Sequence, residues 1–202
     1  MSESAPVAVL RTILVTDLVN STRIVSRLGD ERAFALSARH DRLARDLLAV
    51  HHGTEIDKTD GFLLLFERPL DAVAYALAYH RAMAALGAEI GTPLAARAGA
   101  HLGEVFLRPN PPEDVARGAK PLEVEGLAKP LAARLMALAQ GGQTLLTRAA
   151  FDVARRSAVG ADLGTGGVRW LAHGAYLLKG VDEPVEVFEV GEPGGVRGLP
   201  AL

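Results

Sequence analysis

The chain has 202 residues, a formal net charge of −2, 49 % hydrophobic residues and no cysteine. That length suits one ordinary domain, able to bury roughly 70 % of its unfolded surface without a metal or disulfide, and the missing cysteines exclude disulfide and thiolate chemistry. Near-neutral charge without a basic run gives no footprint for nucleic acid, and no apolar stretch reaches the roughly 20 residues of a membrane span. The opening MSESAPVAVL has no basic segment before its apolar residues, so a cytoplasmic protein without membrane insertion is expected.

Residues 1–10 read as a flexible lead-in. Residues 11–17 (RTILVTD) alternate and are β-branched, which predicts a strand. Asn20, Ser21 and Thr22 offer capping chemistry for a short helix ending near Gly29. Leu36, Leu43, Leu47 and Val50 then share one face of a longer helix capped by Asp30. Two extended runs, 54–58 and 62–66, flank Asp60-Gly61, a strong hairpin signal. Pro69 opens a helix that runs to about Leu86. Residues 94–107 predict a strand, 108–121 with four prolines a loop, and about 124–139 a helix closed by Gly141-Gly142. A short strand at 143–147, a short helix at 148–156 and extended runs at 168–172, 175–179 and 185–190 follow. Residues 191–202 read as a flexible tail. Strands alternating with helices predict one α/β sheet domain over 11–190.

Asp17 closes the first strand immediately before a helix N-terminus, where the backbone N–H groups of Leu18 to Thr22 can cradle phosphate. Magnesium takes one or two carboxylates plus phosphate oxygens. Alone, Asp17 reads most simply as a turn residue, and Asp60 as one half of a common Asp-Gly turn. Together, if the hairpin lies beside the first strand, they make a two-carboxylate site for phosphoryl chemistry. The six histidines show no ligand spacing.

Five segments carry a resemblance. VTDLVNSTRIVSRLGDERA resembles the opening of class III adenylate and guanylate cyclases, and KTDGFLLLF their Asp-bearing hairpin. RAGAHLGEV resembles the strand that follows, EGLAKPLAARLMALAQGGQTLLT the helix and strand with the catalytic arginine, and HGAYLLKGVDEPVEVFEV the C-terminal strands. The resemblance implies an α+β, ferredoxin-like core with added strands and helices, working as a head-to-tail homodimer. It implies two Mg²⁺ or Mn²⁺ ions per site at Asp17, Asp60 and Leu18, with phosphate held at Val19, Asn20, Ser21 and Thr22. It also implies a nucleoside triphosphate substrate converted to a 3′,5′-cyclic nucleotide and pyrophosphate, and Arg134 acting from the other subunit. A regulatory domain or protein is a further expected partner.

Three positions depart from that family. The asparagine that orients the ribose is replaced by Pro130, which removes a polar contact and predicts a kink or a late helix start. The base-reading lysine falls at Ile56. Lys58, two residues on, shares its strand face, and a one-residue shift of register offers Asp57 or Lys58 instead. The partner base-reading position is Glu123, which can accept from an amino group or simply pair with Lys58. The third departure is Asn20 in place of a glycine. Low activity is therefore expected, and the alternative is a weak or inactive cyclase-like domain that binds nucleotide or signals by dimerising.

Overall fold

The computed structural model describes residues 7–164 and 166–199. In chain order the elements are β1 (Ala8–Leu18), α1 (Ser21–Leu28), α2 (Asp30–Val50), β2 (Thr54–Lys58), β3 (Phe62–Phe66), α3 (Pro69–Glu89) and β4 (Ala96–Pro109). The second half runs α4 (Pro112–Ala116), β5 (Leu122–Glu125), α5 (Ala128–Leu138), β6 (Thr144–Thr147), α6 (Arg148–Ser157), β7 (Arg169–Tyr176) and β8 (Val185–Gly191). The strands form one sheet in the order β2-β3-β1-β4-β6-β8-β7, with β5 paired to the far end of β4. Its first four members, all antiparallel, give the β4-β1-β3-β2 arrangement of a ferredoxin-like unit. The fold is α+β.

The sheet is covered on both faces, which explains why all five residues of β3 are buried. On one face α2 presents Leu36, His40, Ala44 and Leu48, one residue per helical turn. Beside it α3, buried along most of its length, sets Tyr75, Tyr79 and Met83 against Leu14, Phe62 and Leu64. On the other face Ala128 and Ala132 of α5 meet Ile13, Leu63, Leu65 and Val105. The helix backbone comes close here because β4 has a glycine beneath it. A Cβ on Gly99 would stand 2.3 Å from Met136 N and 2.4 Å from Ala132 O.

Several elements differ from expectation. Residues 8–10 belong to β1, paired with Phe106, Val105 and Glu104, while 1–6 lie outside the described residues. The proline-rich segment contains the short α4. Residues 122–125 form β5, so α5 starts later than about 124. Pro130 is the third residue of α5, the late helix start that the proline allowed, and it is tolerated there because the first-turn N–H groups of a helix have no acceptor in it anyway. The runs at 168–172 and 175–179 meet in one strand, β7, bulged between Ala172 and Gly174. Part of the expected flexible tail is tied down. Arg197 donates its N–H to Glu189, and its carbonyl accepts from buried Gln143. Glu192 pairs with Arg81, and Leu199 packs on Leu135 and Leu145. Residues 200–202 lie outside the described residues.

Candidate active site

Four elements meet where β1 ends. The β2–β3 turn closes directly onto β1 because Gly61 has no side chain. A Cβ there would lie 1.8 Å from the Thr16 carbonyl oxygen and 2.8 Å from Asp17 Cα. The Phe62 N–H donates to the Thr16 hydroxyl at 3.1 Å, fixing the approach. Asp60, one residue before that glycine, is thereby set beside Asp17. It is exposed and accepts a 3.3 Å hydrogen bond from Ser21 Oγ, which joins the turn to the first residue of α1. Asp60 is thus joined to Ser21, and the backbone of its turn lies against that of Thr16 and Asp17.

At the helix start expected to cradle phosphate, one N–H group is already engaged within the fold. Asn20 takes the left-handed backbone, at φ 59° and ψ 33°, in place of glycine. Its side chain makes no cap, so the N–H groups of Ser21 and Thr22 keep no side-chain partner at the positive end of the helix. Val19, by contrast, donates its N–H to Ala95 O at 2.9 Å, so it leaves the cradle. Leu18 pairs with Ala96 in the sheet, and its side chain packs toward α2 and α3.

Arg97 was not singled out from the sequence. It stands directly across from Asp17 on β4, and its Nη2 and Nε lie 2.6 Å and 3.0 Å from Asp17 Oδ2. Its Nη1 reaches Ala137 O at 3.3 Å in the last turn of α5. One guanidinium thus couples the carboxylate to the end of the helix that carries Arg134. The only sequence signal was an arginine in an alanine-rich strand, and seeing its target required the β1–β4 register.

The two side chains expected to read the base each have a partner within the chain. A bulge between Glu55 and Asp57 inserts Ile56, which stays buried against Ile13 and Val124. The bulge changes the phase of the strand. Lys58 consequently turns toward α2 and pairs with Asp41 at 2.9 Å. Asp57 instead meets Lys120, whose Nζ lies 2.5 Å from Oδ2. That ammonium, with the Lys58 N–H, holds the Asp57 carboxyl below its usual range. Glu123 accepts from Asn110 Nδ2 at 3.2 Å and does not contact Lys58. A pocket of about 210 Å³ lies on each side of the turn. The first is lined by Leu18, Ser21, His40, Lys58 and Asp60. The second is lined by Asp17, Asp57, Lys129, Ala133 and Met136.

Arg134 lies four residues after Pro130 on α5. It is exposed and has no hydrogen-bond or ion-pair partner among the described residues. Arg97, not Arg134, is the guanidinium that holds Asp17 in this chain.

The carboxylates suit a divalent ion in chemistry: two hard oxygen donors, one exposed and one held only by Arg97. Among the described residues no group of three or more His, Cys, Asp or Glu gathers for a metal, at this corner or elsewhere. No helix is long and apolar enough to cross a membrane.

No protein-family model matches the chain, and no curated protein matches it. Solved structures do. The adenylyl cyclase CyaB from P. aeruginosa superposes with a TM-score of 0.79 at 16 % identity, covering 93 % of this chain and 96 % of that one. A guanylyl cyclase superposes at 0.75 with 23 % identity, over 98 % of this chain and 100 % of that one. An adenylate cyclase from Trypanosoma brucei, solved in its monomeric state, gives 0.74 at 24 % identity over 95 % and 92 %. The structural neighbours of this chain are thus class III adenylyl and guanylyl cyclase domains, and their α+β fold is its own.

Proposed function

We propose that the protein is a nucleotide cyclase converting a nucleoside triphosphate to a 3′,5′-cyclic nucleotide and pyrophosphate, with its sites shared between two copies of the chain. The observation that carries this reading is the corner itself. Gly61 lets the turn bearing Asp60 close on Asp17 at the N-terminus of α1, in a fold shared with cyclase domains.

Asp17 and Asp60 would hold two Mg²⁺ or Mn²⁺ ions. Such ions supply, when bound, charge neutralisation for the triphosphate and activation of the ribose 3′-hydroxyl. The Ser21 and Thr22 N–H groups receive phosphate oxygens, and the helix dipole adds to the attraction. The ribose 3′-oxygen attacks the α-phosphorus, the bond to the bridging oxygen breaks, pyrophosphate leaves and the hydroxyl proton passes to solvent. Arg134 of the second copy stabilises the charge of that transition state, a role suited to a forked and permanently charged donor. Pro130 offers the ribose no donor, so turnover is slow. With Ile56 buried and Lys58 paired to Asp41, the base faces Asp57, Lys120 and Glu123 rather than a lysine on β2.

The test is Mg²⁺- or Mn²⁺-dependent pyrophosphate release with each of the four common triphosphates. Product with at least one of them, lost in Asp17→Asn and Asp60→Asn, is expected. Triphosphate binding without product would favour a nucleotide-binding signalling module, for which the altered base-reading and ribose positions are the specific support.

Arg97 gives a prediction of definite sign. It competes with metal for Asp17 and leaves a cation beside the cradle once metal takes its place. Arg97→Met is expected to strengthen Mn²⁺ binding without nucleotide and to weaken triphosphate binding, each by about three- to tenfold. Electron paramagnetic resonance titration of Mn²⁺, with and without nucleotide, reads both effects; parallel changes would rule out the competition.

A further inference from the structure

On the face of the hairpin away from Asp17, a line of polar side chains runs through an otherwise apolar core. Lys58 Nζ lies 2.9 Å from Asp41 Oδ2. Asp41 Oδ1, a buried atom that makes no hydrogen bond among the described residues, lies 3.3 Å from His40 Nδ1. His40 Nε2 lies 2.5 Å from the Tyr79 hydroxyl. The Thr16 hydroxyl accepts from Phe62 N–H at 3.1 Å. His40, Tyr79 and Thr16 are all buried, and the Phe62 ring stands 5.4 Å from the His40 ring.

The proton positions follow from the partners. A carboxylate only accepts, so His40 carries its proton on Nδ1. Burial keeps the ring neutral, pushing its titration below the ordinary histidine range, so Nε2 accepts and the Tyr79 hydroxyl donates to it.

Both ends of the line grip the same hairpin. Lys58 and Phe62 are the register pair that closes it, and the turn between them carries Asp60. We infer that two contacts, Lys58 with Asp41 of α2 and Phe62 N–H with Thr16 of β1, form a positioning clamp that ties both legs of the β2–β3 turn to α2 and β1 and so fixes the Asp60 carboxylate against Asp17, with His40–Tyr79 joining α2 to α3 between them. The clamp rests on the reading of Asp60 as a metal ligand. Lys58, expected to read the base, acts here through Asp41 instead. Without the clamp the turn keeps its close approach at Gly61, but its tip is free to swing on two unbraced strands.

The experiment uses the full chain and Thr16→Val, Thr16→Ser and Lys58→Met. The valine keeps the volume and loses the hydroxyl, the serine keeps the hydroxyl, and the methionine keeps most of the stem without the charge. Two readouts are taken on folded protein. One is Mn²⁺ affinity with a non-cyclisable triphosphate analogue; the other is hydrogen exchange of amides 59–62 against those of β4. Thr16→Val and Lys58→Met are expected to weaken Mn²⁺ binding by about tenfold, the effect of one lost buried polar contact. Hairpin exchange should rise while β4 exchange stays at the parent's level, and Thr16→Ser should remain within about twofold of the parent. Unchanged hairpin exchange in Thr16→Val overturns the clamp whatever the metal does, and so does faster exchange with undiminished Mn²⁺ affinity. A parent that binds no Mn²⁺ overturns the metal reading of Asp60, and with it the clamp's purpose, even if exchange rises.

Discussion

Gly61→Ala is expected to abolish metal-dependent triphosphate binding while leaving most of the sheet folded. The added Cβ would stand 1.8 Å from a backbone oxygen, that of Thr16, and 2.5 Å from its carbon. No rotamer of alanine relieves such a contact, and neither β1 nor the turn can yield by a side-chain movement. The turn must withdraw, and Asp60 goes with it. Misplacing a reacting or binding group by about 1 Å can reduce a rate on the order of 10²-fold. The strain itself costs about 1–3 kcal/mol, as overpacking usually does, which a domain of this length can survive. Calorimetric binding of a triphosphate analogue with Mn²⁺, beside circular dichroism at the same temperature, separates the two effects. Gly198→Ala is the control, since a Cβ there meets nothing within 4 Å. An alanine at 61 that binds as the parent does would show that Asp60 needs no such approach.

Arg134→Ala is expected to reduce cyclic-product formation by about 10²–10³-fold, the usual loss when one preorganised donor to a developing charge is removed. Because the side chain is exposed and has no partner among the described residues, folding and metal binding should not change. Pro130→Asn is expected to move the rate upward, for the asparagine would sit one turn before Arg134 on the same helix face. Single-turnover formation of cyclic product with Mn²⁺ measures both. A rate indifferent to Arg134 would remove the second copy from the chemistry.

What was legible in the sequence, and what was not, divides along local and distant interactions. The hairpin at 54–58 and 62–66 was readable because Asp60-Gly61 and the apolar runs lie within a dozen residues of each other. The bulge at Ile56 was not, since a β-bulge leaves no residue signature when its extra member is a buried isoleucine, and that one residue sends Lys58 to Asp41 and Asp57 to Lys120. Asp17, Asp60 and Ser21 could be nominated from strand ends and a helix start. Arg97 could not, because its meaning depends on standing across from Asp17 after eighty residues of intervening chain. The cradle was overcounted by Val19 for a similar reason: its N–H is taken by Ala95, a partner set by the approach of β4. Residues 124–125 read as the start of a helix until the pairing of 122–125 with the far end of β4 makes them a strand. The ordering of the tail to Leu199 rests on Gln143 and Glu189, which local composition does not reveal.

The measurement that bears most directly on a shared site is complementation. Arg134→Ala and Asp60→Asn are purified separately, mixed in equal amounts and assayed for cyclic product with Mn²⁺ over a range of total protein concentration. If Asp60 comes from one copy and Arg134 from the other, each variant alone is nearly inactive, while the mixture recovers about a quarter of the parent's rate. Half of randomly paired dimers are mixed, and each of these holds one intact site of two. The recovered rate per chain should rise with concentration as the copies associate. A mixture no more active than its components, from a parent that is itself active, would contradict the account and place Asp60 and Arg134 in the same half of the site.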